Sequence, residues 1–283
     1  MAKKLTRIAI AYDFDGTLAP GNMQQHSFIP KLKVESGEFW KEVKAIAKEN
    51  DMNEILAYMH LMLKKAHEKN IPITKKAFVE HGKGMPLFPG VVEYFKKINE
   101  YAKSKDLLIE HYIISSGLRD ILKGTVIHRE FEMVFASAYK YDVNDVAEWP
   151  ALAIDYTNKT QFLFRINKGI KNAWDNESIN KFMPEEERPM PFKRMIYLGD
   201  GETDIPAMKM INFQGGKSIA VYNPDTKTQA GKKAKKITQE LVSQGRANYV
   251  AAADYSEGSS LYKIIQLCID SMAAEIELQS FKK

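Results

Sequence analysis

The 283-residue sequence contains one cysteine, Cys268. That excludes an internal disulfide and any cysteine-based metal cluster, and it favours a reducing, cytoplasmic compartment. Long hydrophobic runs are also missing. The apolar stretch at the start of the chain runs straight into Asp13, too short for a signal peptide, and nothing later is long enough to span a bilayer. Charge of one sign is scarce too: the net charge is only +5. The one dense basic run, Lys232, Lys233, Lys235 and Lys236, has no aromatic residue interleaved. It reads as a solvated helix face, and no nucleic-acid partner is expected. A mildly positive chain does suit an anionic substrate.

What remains is an ordinary globular composition, 45% hydrophobic and 27% charged, in a length that suits one large domain with a smaller one inserted. The chain is organised around Ile8-Ala9-Ile10-Ala11-Tyr12-Asp13-Phe14-Asp15-Gly16-Thr17-Leu18. The short apolar run reads as a buried parallel strand that leaves the sheet at Gly16. Ligands of open α/β sheets bind beyond such strand ends. Asp13 and Asp15, two apart, point to one side of an extended chain. Their repulsion has to be offset by a cation, a proton or strong donors. The pair suits phosphoryl transfer: Asp13 can attack phosphorus to form an aspartyl-phosphate, and Asp15 can protonate the leaving alcohol and then activate water. Mg²⁺ would hold the first carboxylate beside the phosphate oxygens. A surface Asp-x-Asp-Gly turn is the plain alternative; the preceding strand and the following Gly-Thr favour chemistry.

Beyond a turn-rich stretch at 19–22, residues 38–50 read as an amphipathic helix. A second helix follows with Asp51 as a possible N-cap and Ile55, Tyr58, Met59, Met62 and Leu63 on one face, and a third, shorter one begins at Thr74. Residues 21–86 are thus expected to form an inserted helical domain, with 1–20 and 87–283 forming the α/β core. Met52, Met59 and Met62 fit core packing better than a binding groove. His60, His67 and His81 lack metal-ligand spacing.

A helix over 91–103 leads to a strand over 109–114, ending in Ser115-Ser116-Gly117. A hydroxyl there can cap the next helix or face a phosphate. Residues 133–137 read as a strand. Residues 151–156 and 160–164 read as the arms of a hairpin turning at 157–159. Met195-Ile196-Tyr197-Leu198 is a further short strand, running into Gly199-Asp200-Gly201-Glu202-Thr203-Asp204. Its glycines allow a ligand close to the backbone. Asp204 could cap a helix beginning Ile205-Pro206. The coil after Val221 and a final helix near 260–278 read as structural.

Asp13-Phe14-Asp15-Gly16-Thr17, Ser115 at a strand tip, and Gly199-Asp200-Gly201 followed by Asp204, in that order, resemble the motifs of the haloacid dehalogenase (HAD) superfamily. The hairpin expectation is similar to its phosphoserine-phosphatase branch. The resemblance implies a Rossmann-like doubly wound parallel sheet with a helical C1 cap. It also implies a Mg²⁺ site on Asp13, Asp15 and Asp200, with Thr17 holding Asp15 and Asp204 supporting the metal ligands. Ser115 and Ser116 would bind phosphate, together with a lysine, for which Lys168 is preferred by order over Lys159 and Lys171. Asp15 argues against a dehalogenase, since a departing halide needs no proton. The P-type pumps carry Lys and Thr at the positions of Phe14 and Asp15. A Mg²⁺-dependent phosphatase acting on a small phosphorylated metabolite is therefore expected. A phosphotransferase or mutase, or an inactive binding protein on the same scaffold, are the alternatives. Phosphoserine phosphatases carry a Glu nine residues after the first Asp, where this chain has Asn22, which speaks against phosphoserine itself. Arg119 could reach a second anionic group of the substrate.

Overall fold

The computed structural model describes residues 5–227 and 229–281. Seven strands form one sheet: β1 (Thr6–Tyr12), β2 (Leu107–Leu118), β3 (Met133–Tyr141), β4 (Ala147–Leu152), β5 (Met195–Gly199), β6 (Lys217–Tyr222) and β7 (Tyr249–Ala252). Their order is β4-β3-β2-β1-β5-β6-β7. Every pairing is parallel except β3 with β4. The strand order reverses at β1, which pairs with β2 on one side and β5 on the other. A crevice at such a switch point is where this class of sheet binds ligands. This is the doubly wound α/β core expected from the sequence.

Alternation along the strands divides the interior in two. Ile8, Ile10 and Tyr12 of β1 join Ile196 and Leu198 of β5 in the larger core, whereas Ala9, Ala11 and Tyr197 belong to the smaller one. The larger core is closed by α6 (Val91–Lys103), α12 (Ser260–Ser280) and the segment between β1 and α6. That segment carries α1 (Met23–His26), α2 (Phe28–Lys31), α3 (Ser36–Glu49), α4 (Glu54–Lys69) and α5 (Lys75–Gly82), and no strand of its own. Helix α4 starts at Asn53 rather than Asp51. The Asn53 Oδ1 accepts from the Ile55 and Leu56 amides at 2.9 and 3.2 Å, while Asp51 takes a left-handed φ of 45°. Ile55, Tyr58, Met59, Met62 and Leu63 are buried as one face, so the methionines are core. Burying each such side chain contributes about 1.5–3 kcal/mol.

The smaller core holds α8 (Lys159–Lys168) and α10 (Ile205–Phe213). Helix α8 overturns the expected hairpin over 151–166. The hairpin in the structure joins β3 to β4 through 142–146, and the second expected arm is helical. Lys159, Phe162, Leu163 and Ile166 are all buried, a spacing of three and four that only a helix can turn to one side. The remaining helices are α7 (Arg119–Lys123), α9 (Asn176–Asn180) and α11 (Gln229–Ser243). Helix α11 and β7 occupy part of what read as coil after Val221. Lys232, Lys233 and Lys236 are exposed on α11, as a solvated face requires. Among the described residues no helix is long and apolar enough to cross a membrane.

Candidate active site

Asp13 follows β1 directly, and its amide donates to the Leu198 carbonyl at 2.9 Å, so the β1 and β5 tips are tied together. The Asp13 Oδ1 accepts from the Phe14 amide at 2.8 Å, which leaves Oδ2 facing Lys159 Nζ at 3.0 Å. The same ammonium lies 2.7 Å from Asp204 Oδ1, which also accepts from the Tyr197 hydroxyl at 2.6 Å. Two close approaches make room for this. Gly16 lies at φ 73°, where a Cβ would fall 2.0 Å from Asp200 Oδ2, and a Cβ on Gly199 would fall 2.4 Å from Asp204 Cγ. Only glycine fits either position.

Lys159, not Lys168, is therefore the lysine of the site. Lys168 stands at the other end of α8, where its Nζ donates to the Ile179 and Lys181 carbonyls at 2.6 and 2.7 Å. Reading 160–164 as a strand moved the candidate lysine one helix length too far along the chain. Lys171 pairs with Glu132 on the surface.

Asp13, Asp200 and Asp204 each offer a carboxylate oxygen, all within 4.8 Å of one another. Asp204 thus belongs to the cluster itself. It does not cap α10 with its side chain, and its Oδ2 is buried with no hydrogen-bond partner. Three carboxylates face one ammonium, and their donors are all oxygen. Such a set fits a hard divalent cation of the Mg²⁺ kind. The Asp15 carboxylate is not among these three: its Oδ1 accepts from the Met23 amide at 2.9 Å. Thr17 does not hold it. The Thr17 Oγ1 is buried with no hydrogen-bond partner, and the Thr17 carbonyl accepts from Tyr255.

The electrostatics follow from enclosure. Burial pushes the Asp13 carboxyl up; Lys159 draws it back, Asp204 repels it, and it settles at about 6. Burial, then the charge of Asp13, raise Asp15 well above the usual carboxylate range despite the Met23 amide. Asp200 is raised by burial and then by Asp204 and Asp13. Burial works against a charged Lys159, but Asp13 and Asp204 overcome it and hold the amine protonated. Burial thus favours the protonated form of Asp15, while Asp13 and Asp204 favour the charged form of Lys159.

A cavity of about 640 Å³ opens beside these carboxylates. Asp13, Asp15, Ser115, Ser116 and Asp200 line it, as does Asn22. Ser115 is fully buried; its Oγ accepts from the Gly117 amide at 3.0 Å. The Ser116 carbonyl takes the Tyr58 hydroxyl at 2.7 Å, which ties α4 to the β2 tip. The far wall comes from the helical segment and the loop before α8: Trp40, Lys44, Glu54, Tyr58 and Tyr156. Arg119 is not part of it. Tyr197 and the far-wall residues were missed by the sequence reading. For Tyr197 a signal exists: it stands three residues before Asp200 on an otherwise aliphatic strand.

Residues 8–215 match the family described as "Putative Phosphatase". An uncharacterized protein of Borreliella burgdorferi is 30% identical over 291 residues, covering 93% of this chain and 97% of its own. Among solved structures, a HAD family hydrolase from Salmonella enterica serovar Typhi superimposes with a TM-score of 0.52 at 16% identity, over 84% of this chain and 71% of that one. A phosphoserine phosphatase, solved as a phospho-aspartyl intermediate analogue, superimposes at 0.55 and 17% identity, over 93% of this chain and 99% of that one. At these identities the structures establish a common fold.

Proposed function

The chain belongs to the family described as Putative Phosphatase, and we propose that it works as a HAD-type phosphatase of the phosphoserine-phosphatase-like branch. It hydrolyses a small-molecule phosphomonoester through a phosphoryl group carried on Asp13. The observation that carries the proposal is Lys159 Nζ held 3.0 Å from Asp13 and 2.7 Å from Asp204, with Asp13, Asp15 and Asp200 lining the cavity. The Asp13 Oδ2 attacks phosphorus in line with the leaving oxygen. Lys159 keeps Asp13 ionised before attack and balances the phosphoryl charge as it develops. Asp15, whose burial favours the protonated carboxyl, gives a proton to the departing alkoxide and then takes one from the water that opens the aspartyl-phosphate. Ser115 and the loop amides after it face the phosphoryl oxygens. Bound by Asp13, Asp200 and Asp204, Mg²⁺ would supply the remaining positive charge at that end of the cavity.

The phosphoserine phosphatase that shares this fold was solved as a phospho-aspartyl analogue, which supports a covalent route here. A reducing, cytoplasmic setting fits a chain whose only cysteine is buried. The test is phosphate release from an aryl phosphate and a panel of phosphorylated metabolites, with Mg²⁺ or EDTA, for wild type and Asp13→Asn. Release that needs both Mg²⁺ and Asp13 supports the proposal. Transfer of the phosphoryl group to an added alcohol with little free phosphate would make the chain a phosphotransferase. Silence across the panel would sink hydrolysis.

A further inference from the structure

The start of α4 is fastened to the turn that precedes α8. Asn53 caps α4 through Oδ1, and its Nδ2 donates to Asp155 Oδ2 at 2.6 Å. The other oxygen of Asp155, Oδ1, accepts from the Thr157 and Asn158 amides at 3.1 Å each and from the Thr157 hydroxyl at 3.2 Å. Asn158 returns the contact, with its Oδ1 accepting from the Asp155 amide at 2.8 Å and its Nδ2 donating to the Ala153 carbonyl at 2.9 Å. The next residue is Lys159. One residue further along the chain from Asp155 and from Asn53, the Tyr156 hydroxyl reaches toward Glu54 Oε2 at 3.4 Å, and both side chains line the cavity.

We propose that Asn53 and Asp155 are positioning residues for Lys159. Asp155 uses one oxygen to build the turn that starts α8 and the other to fasten that turn to the start of α4. Lys159 leaves the turn immediately, so its Nζ can sit between Asp13 and Asp204 only while the turn is held. The inference rests on the reading of Lys159 as the charge that serves Asp13. An amide donating to a carboxylate is a strong, directional contact. A small displacement of a charged group beside the reacting atom is costly in rate. The pair therefore couples the seat of the helical segment, which forms the far wall, to the seat of the lysine.

The decisive variant is Asn53→Asp. It keeps an acceptor to cap α4, so that helix is preserved, but it sets a second carboxylate against Asp155. Asn53→Ser is the milder partner, also a good cap but too short to reach Asp155. Adding Asp155→Asn to Asn53→Asp exchanges donor and acceptor and restores the contact. Two readouts are taken on folded protein: amide hydrogen exchange over residues 157–162, and kcat and KM for phosphate release. Both single variants are expected to speed exchange there, and Asn53→Asp to lower kcat about tenfold with a smaller change in KM. The double variant is expected within about twofold of wild type. Unchanged exchange in the single variants, or no rescue in the double, would overturn the inference. Wild-type protein that releases no phosphate while exchange responds as expected would instead refute the proposed activity and leave the coupling standing.

Discussion

Helix α8 carries a lysine at each end, and the two could hardly be treated more differently. Lys159 stands in the first turn, where the helix dipole is positive, and it is fully buried. Both conditions disfavour an ammonium, and two carboxylates hold it there. Lys168 stands in the last turn, where the dipole favours a cation, and its amine closes a surface loop by binding two carbonyls. A cation placed against the helix dipole and away from water is kept for the work it does there. A cation placed with the dipole is explained by the fold.

The contrast fixes the order of effects. Lys159→Met leaves Asp13 and Asp204 buried without their counter-charge, and phosphate release should fall about a hundred- to a thousandfold. A Lys159→Met protein with near wild-type kcat would break the comparison outright. Tyr197→Phe comes next. It removes the second donor to the oxygen of Asp204 that Lys159 shares, with no change in shape, and kcat should drop about tenfold. Half-saturation by Mg²⁺, followed by calorimetry as well as by rate, should move to higher concentration. An unchanged Mg²⁺ affinity would reduce Tyr197 to packing.

Stability against pH sharpens the same point. In metal-free protein the folded Asp13 keeps its proton up to about 6, against an ordinary 3.8. Across that window the folded chain binds more protons than the unfolded one, so this group's contribution to stability declines as pH rises. Asp15 and Asp200 are raised too, which extends the decline upward. Thermal melts in EDTA should show wild type losing ground to Asp13→Asn between pH 4.5 and 7, with Mg²⁺ restoring it most at the upper end. A wild-type advantage that grows with pH in EDTA would contradict the enclosure argument. The smallest effect belongs to Lys168→Met: about 1 kcal/mol in urea unfolding and kcat within about twofold. A collapse of activity there would return the catalytic lysine to the far end of α8.

How much could be seen beforehand follows from range. Asp13, Asp15, Ser115 and Asp200 sit at strand tips, where an apolar run stops at a glycine or a hydroxyl, and Asp204 opens the helix that follows β5; both patterns are local. Lys159 depends on a choice between two periods. Thr160, Phe162 and Phe164 alternate as a strand would, but Phe162, Leu163 and Ile166 are what the smaller core takes up. Packing against α10 and the sheet decided for helix, which a short window of sequence does not contain. The far wall was unreadable for a further reason. Trp40, Glu54 and Tyr156 come from α3, α4 and the loop before α8, and only the fold brings them to one cavity. For Asp204 the cap position was legible, but the contacts of Lys159 and Tyr197 with its carboxylate were not.

The most direct test of the account is to look for the phosphoryl group itself. Asp15→Asn protein is mixed with Mg²⁺ and an aryl phosphate, whose leaving group needs no proton, then quenched in acid and mapped by mass spectrometry. The account predicts a phosphoryl group accumulating on the peptide that contains Asp13, and none when Asp13→Asn is added. Steady phosphate release with no phosphoryl group on that peptide would contradict it, and would mean that water attacks the substrate directly.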